Sequence, residues 1–243
     1  MVEKRLPIWQ RNLRVLAIAV FIAGIAFSEV MPFLPLYINT LGHFSHQQLN
    51  MWAGLVFSGI YFVSAFVSPW WGKLADQKGR KLMILRASLG MAIVLAAMGL
   101  VTNVWQLFIL RMTQGFFAGF VSNSNALIAT ETPKEKSGQA LGTMASSFTA
   151  GNLLGPFIGG ALASLFSYRV TFFITGLLLL IAFFLALFFV HEDDFEPVTN
   201  KKLESSRGVV ATLKNPRLIF GLLLTTLIIQ AACLLYTSPS PRD

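Results

Sequence analysis

Gly72-Lys73-Leu74-Ala75-Asp76-Gln77-Lys78-Gly79-Arg80-Lys81 separates two long apolar runs, 52–71 and 83–101. Its chemistry is that of a tight, positively charged connection. Gly72 has no side chain and so admits a neighbouring helix closely. Asp76 suits another helix's N-terminal dipole or a basic partner. Gly79 can take a positive φ in a sharp turn. Lys73, Lys78, Arg80 and Lys81 form a basic cluster, which holds a short loop on the cytoplasmic side of a membrane. Each flanking run has the roughly 19 residues that cross about 30 Å of hydrocarbon as a helix.

The same pattern continues in both directions. Further apolar runs cover 14–38, 105–129, 138–166 and 170–190, and a seventh begins near Leu218 and fails near Ala232, too short to span. The 243 residues are 55% hydrophobic and only 12% charged, with 22 Phe, and the mean hydropathy is +0.65. Soluble domains carry about 25% charged residues, so the natural solvent is lipid and the expected fold is an all-α polytopic membrane protein. A net charge of +8 would suggest nucleic acid in a soluble chain. Here the basic residues sit in short loops and read as topology signals, so no nucleic-acid partner is expected.

Basic residues precede span one (Lys4, Arg5, Arg11, Arg14), separate spans two and three (with Arg86), separate four and five (Lys134, Lys136) and follow six (Lys201, Lys202, Arg207, Lys214, Arg217). Only Arg169 lies on the other side, which places the N-terminus in the cytoplasm. Trp70, Trp71 and Trp105 fall at span ends, as interfacial aromatics do. The first span is no signal peptide, because its apolar run reaches Ile38 without a small-residue cleavage site. The single cysteine, Cys233, excludes an intrachain disulfide.

The expected organisation is a six-span bundle over 1–190, a cytoplasmic linker over 191–217, a truncated seventh span over 218–232 and a tail over 233–243. Asn215-Pro216 signals the start of span seven. Cys233–Asp243 back-translates without forcing any codon into a string resembling a sequencing-library adapter, so it is set aside as non-native. The native chain is expected to continue past Ala232 into a second bundle.

Polar residues inside the spans are the candidate site. Glu29 is the only acidic residue within the six spans, in Glu29-Val30-Met31-Pro32-Phe33-Leu34-Pro35-Leu36-Tyr37. Arg111 and Gln114 lie in span four, in Arg111-Met112-Thr113-Gln114-Gly115. Glu29 lies roughly 14 Å, and Arg111 roughly 9 Å, below the outer end of its span at 1.5 Å per residue. The two are therefore expected to pair in the outer half of one cavity. A carboxyl removed from water is neutral or paired, and one that can change protonation is what a proton carrier needs. Span five carries Gly151-Asn152-Leu153-Leu154-Gly155-Pro156-Phe157-Ile158-Gly159-Gly160, whose glycines at spacing four form one smooth face. Pro156 removes a backbone bond and bends the helix.

No G-x-S-x-G, H-E-x-x-H or G-x-x-x-x-G-K-[ST] string occurs. His43 and His46 have no evident third ligand. No enzyme, metal, cofactor or ATP-driven pump is therefore expected, and no pore-lining polar ring suggests a channel.

The 72–81 stretch resembles the loop signature of the major facilitator superfamily, G-x-L-A-D-x-x-G-R-K. Span four resembles the family's R-x-x-Q-G pattern. G-x-x-x-G-P-x-x-G-G and M-P-F-L-P-L-Y resemble strings of its drug:proton antiporters. The resemblance covers residues from about 8 to 232. It implies that this chain is the N-terminal six-helix bundle, two three-helix repeats, of a twelve-helix transporter in the bacterial inner membrane. By resemblance, spans one and four line the cavity, two and five face the absent second half, and three and six face lipid. The implied partners are protons and small amphipathic drugs, held by Phe33, Tyr37, Phe116 and Phe117 with few polar anchors. A metabolite exporter or a proton symporter of the same fold is the alternative.

Overall fold

The computed structural model describes residues 7–192 together with 221, 224 and 225. The linker beyond Glu192, the seventh span and the tail otherwise lie outside the described residues. Within 7–192 the chain forms eight α-helices: α1 (Ile8–Ser28), α2 (Leu34–Thr40), α3 (His46–Lys78), α4 (Arg80–Met98), α5 (Val104–Phe116), α6 (Phe120–Glu131), α7 (Lys134–Leu165) and α8 (Tyr168–Phe189).

Eight helices make six spans because two spans are divided. Five helices, α1, α3, α4, α7 and α8, are long and apolar enough to cross a membrane. The fourth span departs from the expected single helix: α5 ends at Phe116 and α6 starts at Phe120. Gly119 between them has φ +111°, a value only glycine adopts without strain. The first span is also divided, by turns over 29–33. Pro35 opens α2, where its missing N–H has no helical acceptor to lose. Both breaks lie inside long apolar runs, interrupted only by Glu29 at the first, so hydropathy alone does not locate them.

The connection between spans two and three is shorter than the sequence implies. α3 runs to Lys78 and α4 begins at Arg80, so the turn is Gly79 alone, with φ +95°. At its other end α3 starts with a capping box: Gln48 N–H donates to Ser45 Oγ (3.3 Å) and Ser45 N–H to Gln48 Oε1 (3.0 Å).

Helix α1 packs against α7 and α8, α4 against α8, and α3 against α5. The α1–α7 contact runs along the glycine face. A Cβ on Gly151 would meet the Phe21 carbonyl, one on Gly155 the Ser28 hydroxyl, and one on Gly159 the Glu29 carbonyl. Gly24 reciprocates, its Cβ position lying 2.7 Å from Phe148 O. The motif therefore serves a helix contact within this bundle, because the three glycines share the face that touches α1. Gly160 lies on open space, and so does Gly72, whose expected neighbour is not among the described residues. Pro156 sits inside α7 without ending it.

Candidate functional site

A cavity of about 510 Å³ opens between spans one, two, four and five. Its walls include Phe27 and Met31 from span one, Phe57 and Tyr61 from α3, Phe120 from α6 and Phe148 from α7. Among the described residues no carboxylate lines it. Arg111 and Gln114, both buried, supply polar groups. Arg111 Nη1 donates to Gln114 Oε1 at 3.1 Å, while Nε and Nη2 have no partner. A guanidinium has five N–H donors, so this one keeps most of its capacity for an acceptor entering the cavity.

Glu29 is not in that cavity. Ser28, Val30 and Met31 face it, whereas the fully buried Glu29 turns to α8 and accepts a hydrogen bond from Thr175 Oγ1. Glu29 and Arg111 form no ion pair, contrary to the expectation from their matched depth. Depth fixes position along a helix and leaves the direction around it open. Phe33 and Tyr37 also leave the expected cavity and are buried. Phe33 stacks on Tyr168 and meets Phe172 edge-on. The Tyr37 hydroxyl donates to Met98 O at 2.8 Å. Phe116 and Phe117 pack into the break of span four, Phe116 against Trp71 and Phe117 over Gly90.

Thr175 Oγ1 has one hydrogen, and two acceptors lie within reach: Glu29 Oε1 and Thr171 O at 2.8 Å. When the hydroxyl donates to the helix carbonyl, the bond between Thr175 and Glu29 needs a hydrogen from Glu29, which a protonated carboxyl supplies. Glu29 Oε2 is buried without a partner. The site can therefore hold Glu29 either as an acceptor from Thr175 or, protonated, as a donor to it.

The basic turn is assembled differently from the expectation. Asp76 at the end of α3 pairs with Arg80 at the start of α4, at 2.6 Å, in a part-exposed bridge. The start of α4 is taken instead by Glu192, whose Oε1 and Oε2 accept from Arg80 N–H (2.8 Å) and Lys81 N–H (2.9 Å). A Cβ on Gly79 would lie 2.6 Å from Glu192 Oε2, so Gly79 is needed for space as well as for φ. The exit of span six is also held by Asn12, which exchanges hydrogen bonds with the His191 backbone and donates to Glu131 Oε2 at 2.7 Å. Glu192 is separated from its partners by more than a hundred residues, and its place in an acidic run gives no signal of this role. Solvent-exposed ion pairs contribute about 0–1 kcal/mol, whereas losing a capping side chain costs about 1 kcal/mol, and Glu192 satisfies two N–H groups. Thermal unfolding in detergent should therefore show Glu192→Ala lowering stability more than Asp76→Asn. The reverse order would make Asp76 the principal tie.

Arg86 and Trp71 also depart from their expected roles. Arg86 lies inside α4 rather than in a loop, and its guanidinium carbon sits 3.6 Å from the ring centroid of Trp71. Trp71 is half-buried and serves span four, donating from Nε1 to Phe116 O at 2.9 Å.

Comparison with known proteins agrees with this architecture. The Major Facilitator Superfamily model matches residues 16–241. Multidrug resistance protein MdtG of Salmonella dublin is 54% identical over 224 residues, covering 92% of this chain and 55% of that protein. MdtG of Citrobacter koseri matches with the same identity and coverage. The chain thus spans about half the length of the curated relatives it matches. The crystal structure of the human organic anion transporter MFSD10 (TETRAN) superposes with a TM-score of 0.65 at 19% identity, covering 77% of this chain and 49% of that one, a likeness of fold.

Proposed function

From the premise that this chain belongs to the major facilitator superfamily, we propose that it is the N-terminal bundle of a proton-coupled exporter of amphipathic drugs in the bacterial inner membrane. The working transporter pairs it with a second bundle of similar size, and the two rock to expose a shared cavity to each side in turn. Support for the drug assignment comes from the relatives' name, multidrug resistance protein. The observation that carries the reading is the apolar cavity with its buried, largely unpartnered Arg111. Apolar and aromatic walls take the body of an amphipath without strict geometry, and one or two polar anchors orient it. Arg111 and Gln114 are those anchors, and Glu29 is the proton carrier.

Proton coupling fits the arrangement around span one. Glu29 faces α8 while its neighbours Ser28 and Met31 face the cavity. Drug and proton therefore act on opposite sides of one broken turn. A change at either side biases the conformational equilibrium only by its differential interaction with the two states.

The test uses full-length protein in proteoliposomes with a pH-sensitive dye inside. Drug addition is expected to move protons against drug. Arg111→Leu should raise the half-saturating drug concentration about tenfold, the loss expected for one charge-assisted hydrogen bond. Drug movement unaffected by a proton gradient, or an unchanged half-saturating concentration, would overturn the proposal.

A further inference from the structure

The break in span four leaves carbonyls that a continuous helix would use internally. In an unbroken helix Phe116 O would accept from the N–H of Phe120, and Ala118 O from that of Ser122. In this structure both are served by side chains from other spans. Trp71 Nε1 on α3 donates to Phe116 O at 2.9 Å. Arg86 on α4 donates from Nη2 to Ala118 O at 2.8 Å and from Nη1 to Phe116 O at 3.5 Å. A backbone group left unsatisfied in the hydrocarbon region is strongly unfavourable, so irregular backbone at that depth needs such partners.

Three further features fit the same role. The guanidinium carbon lies 3.6 Å from the centroid of the Trp71 ring, a contact that favours a desolvated cation. It also meets the C-terminal end of α5, where the helix dipole is negative. Finally, Phe117 packs where a Cβ on Gly90 would sit, so span three is shaped to the break both by a glycine and, one turn earlier, by Arg86. Ala118, Gly119 and Ser122 line the cavity, and Arg111 and Gln114 are carried on the helix that ends there. The direction in which α5 ends therefore sets where their polar groups point.

We propose that Arg86 is a positioning residue of the drug cavity: with Trp71 it holds span four in its broken form by occupying the carbonyls of Phe116 and Ala118, and so aims Arg111 and Gln114 at the bound drug. This rests on the reading of the cavity as the drug site. Arg86 does not touch the drug. Lysine at this position keeps the charge but cannot reach two carbonyls and cover a ring in one plane.

The experiment has two independent readouts in the full-length protein. The first is the rate at which a membrane-permeant maleimide labels Ser122→Cys, placed in an otherwise cysteine-free background, which reports the cavity wall without requiring transport. Arg86→Gln should change that rate by at least about threefold, and Trp71→Phe, which keeps a ring but removes the N–H, should change it in the same direction by less. The second is drug export, where Arg86→Gln should raise the half-saturating concentration about tenfold with a smaller change in maximal rate. Arg86→Lys should lie between the two. Unchanged labelling and half-saturation in Arg86→Gln would overturn the proposal, as would a fall in maximal rate alone. If Arg86→Gln does not insert, Trp71→Phe decides by the same criteria. Altered labelling in a protein whose wild type exports no drug would retain the positioning role and overturn the assigned function instead.

Discussion

Gly159→Ala is expected to lower drug export at least about tenfold at equal abundance, while Gly160→Ala leaves it unchanged. The two residues are neighbours on one helix and differ by what they face. A methyl group at Gly159 would overlap the carbonyl oxygen of Glu29 and lie 2.8 Å from its carbonyl carbon and Cβ. These are backbone and near-backbone atoms of the turn that divides span one, so no side-chain rotation relieves the overlap. At Gly160 nothing among the described residues lies within 4 Å. Overpacking of this kind costs about 1–3 kcal/mol, and here it falls on the turn that presents Glu29 to α8 and Ser28 to the cavity. Export assays in cells, normalised to protein in the membrane fraction, give the comparison. Equal export by the two variants would mean that the α1–α7 contact does not govern the break.

The second large effect concerns Glu29→Gln. Glutamine has nearly the shape of the protonated acid and can keep a hydrogen bond to Thr175, but it carries no removable proton. The bundle should insert and bind drug, while proton movement per drug falls about tenfold or more, the result expected if Glu29 is the proton carrier proposed above. Thr175→Val, which takes away the hydroxyl but leaves the carboxyl, should weaken coupling less, because Glu29 then loses a partner and keeps its proton. Proteoliposomes loaded with drug and a pH indicator measure both quantities together. If Glu29→Gln changes which drugs are exported but leaves proton movement per drug intact, the carboxyl selects drugs and coupling resides elsewhere.

Span number, the positive φ of Gly79 and the smooth face of Gly151, Gly155 and Gly159 were legible because each depends on residue type at a fixed spacing. The breaks were not, because hydropathy reports polarity and says nothing of whether the backbone hydrogen-bond ladder continues. Pro32, Pro35 and Gly119 were the available signal. Depth along span one does not give the partner of Glu29, because direction around the helix decides it. Glu29, Phe33 and Tyr37 recur every four residues and so share one side of span one. In the structure all three meet α8 or its start, at Thr175, Phe172 and Tyr168. The cavity instead receives the side containing Phe27 and Met31, again four apart. Arg86 follows a basic cluster in the sequence and so resembles a loop charge. Nothing local to its sequence marks the two carbonyls it serves on another span.

The one-residue turn at Gly79 has a mechanical consequence. At 1.5 Å per residue the 33-residue α3, which carries Pro69 in its interior, is about 50 Å long, hinged to α4 through a single residue and clamped there by the carboxylate of Glu192. A rod held at one end acts as a lever. A tilt of about 10° would carry its free end, near Ser45, through about 9 Å, while Asp76 and Arg80 barely move. Displacement would be greatest where Trp52 meets Trp105 and least at the basic turn, so a small pull on the exit of span six would be read out, amplified, at the opposite face of the membrane.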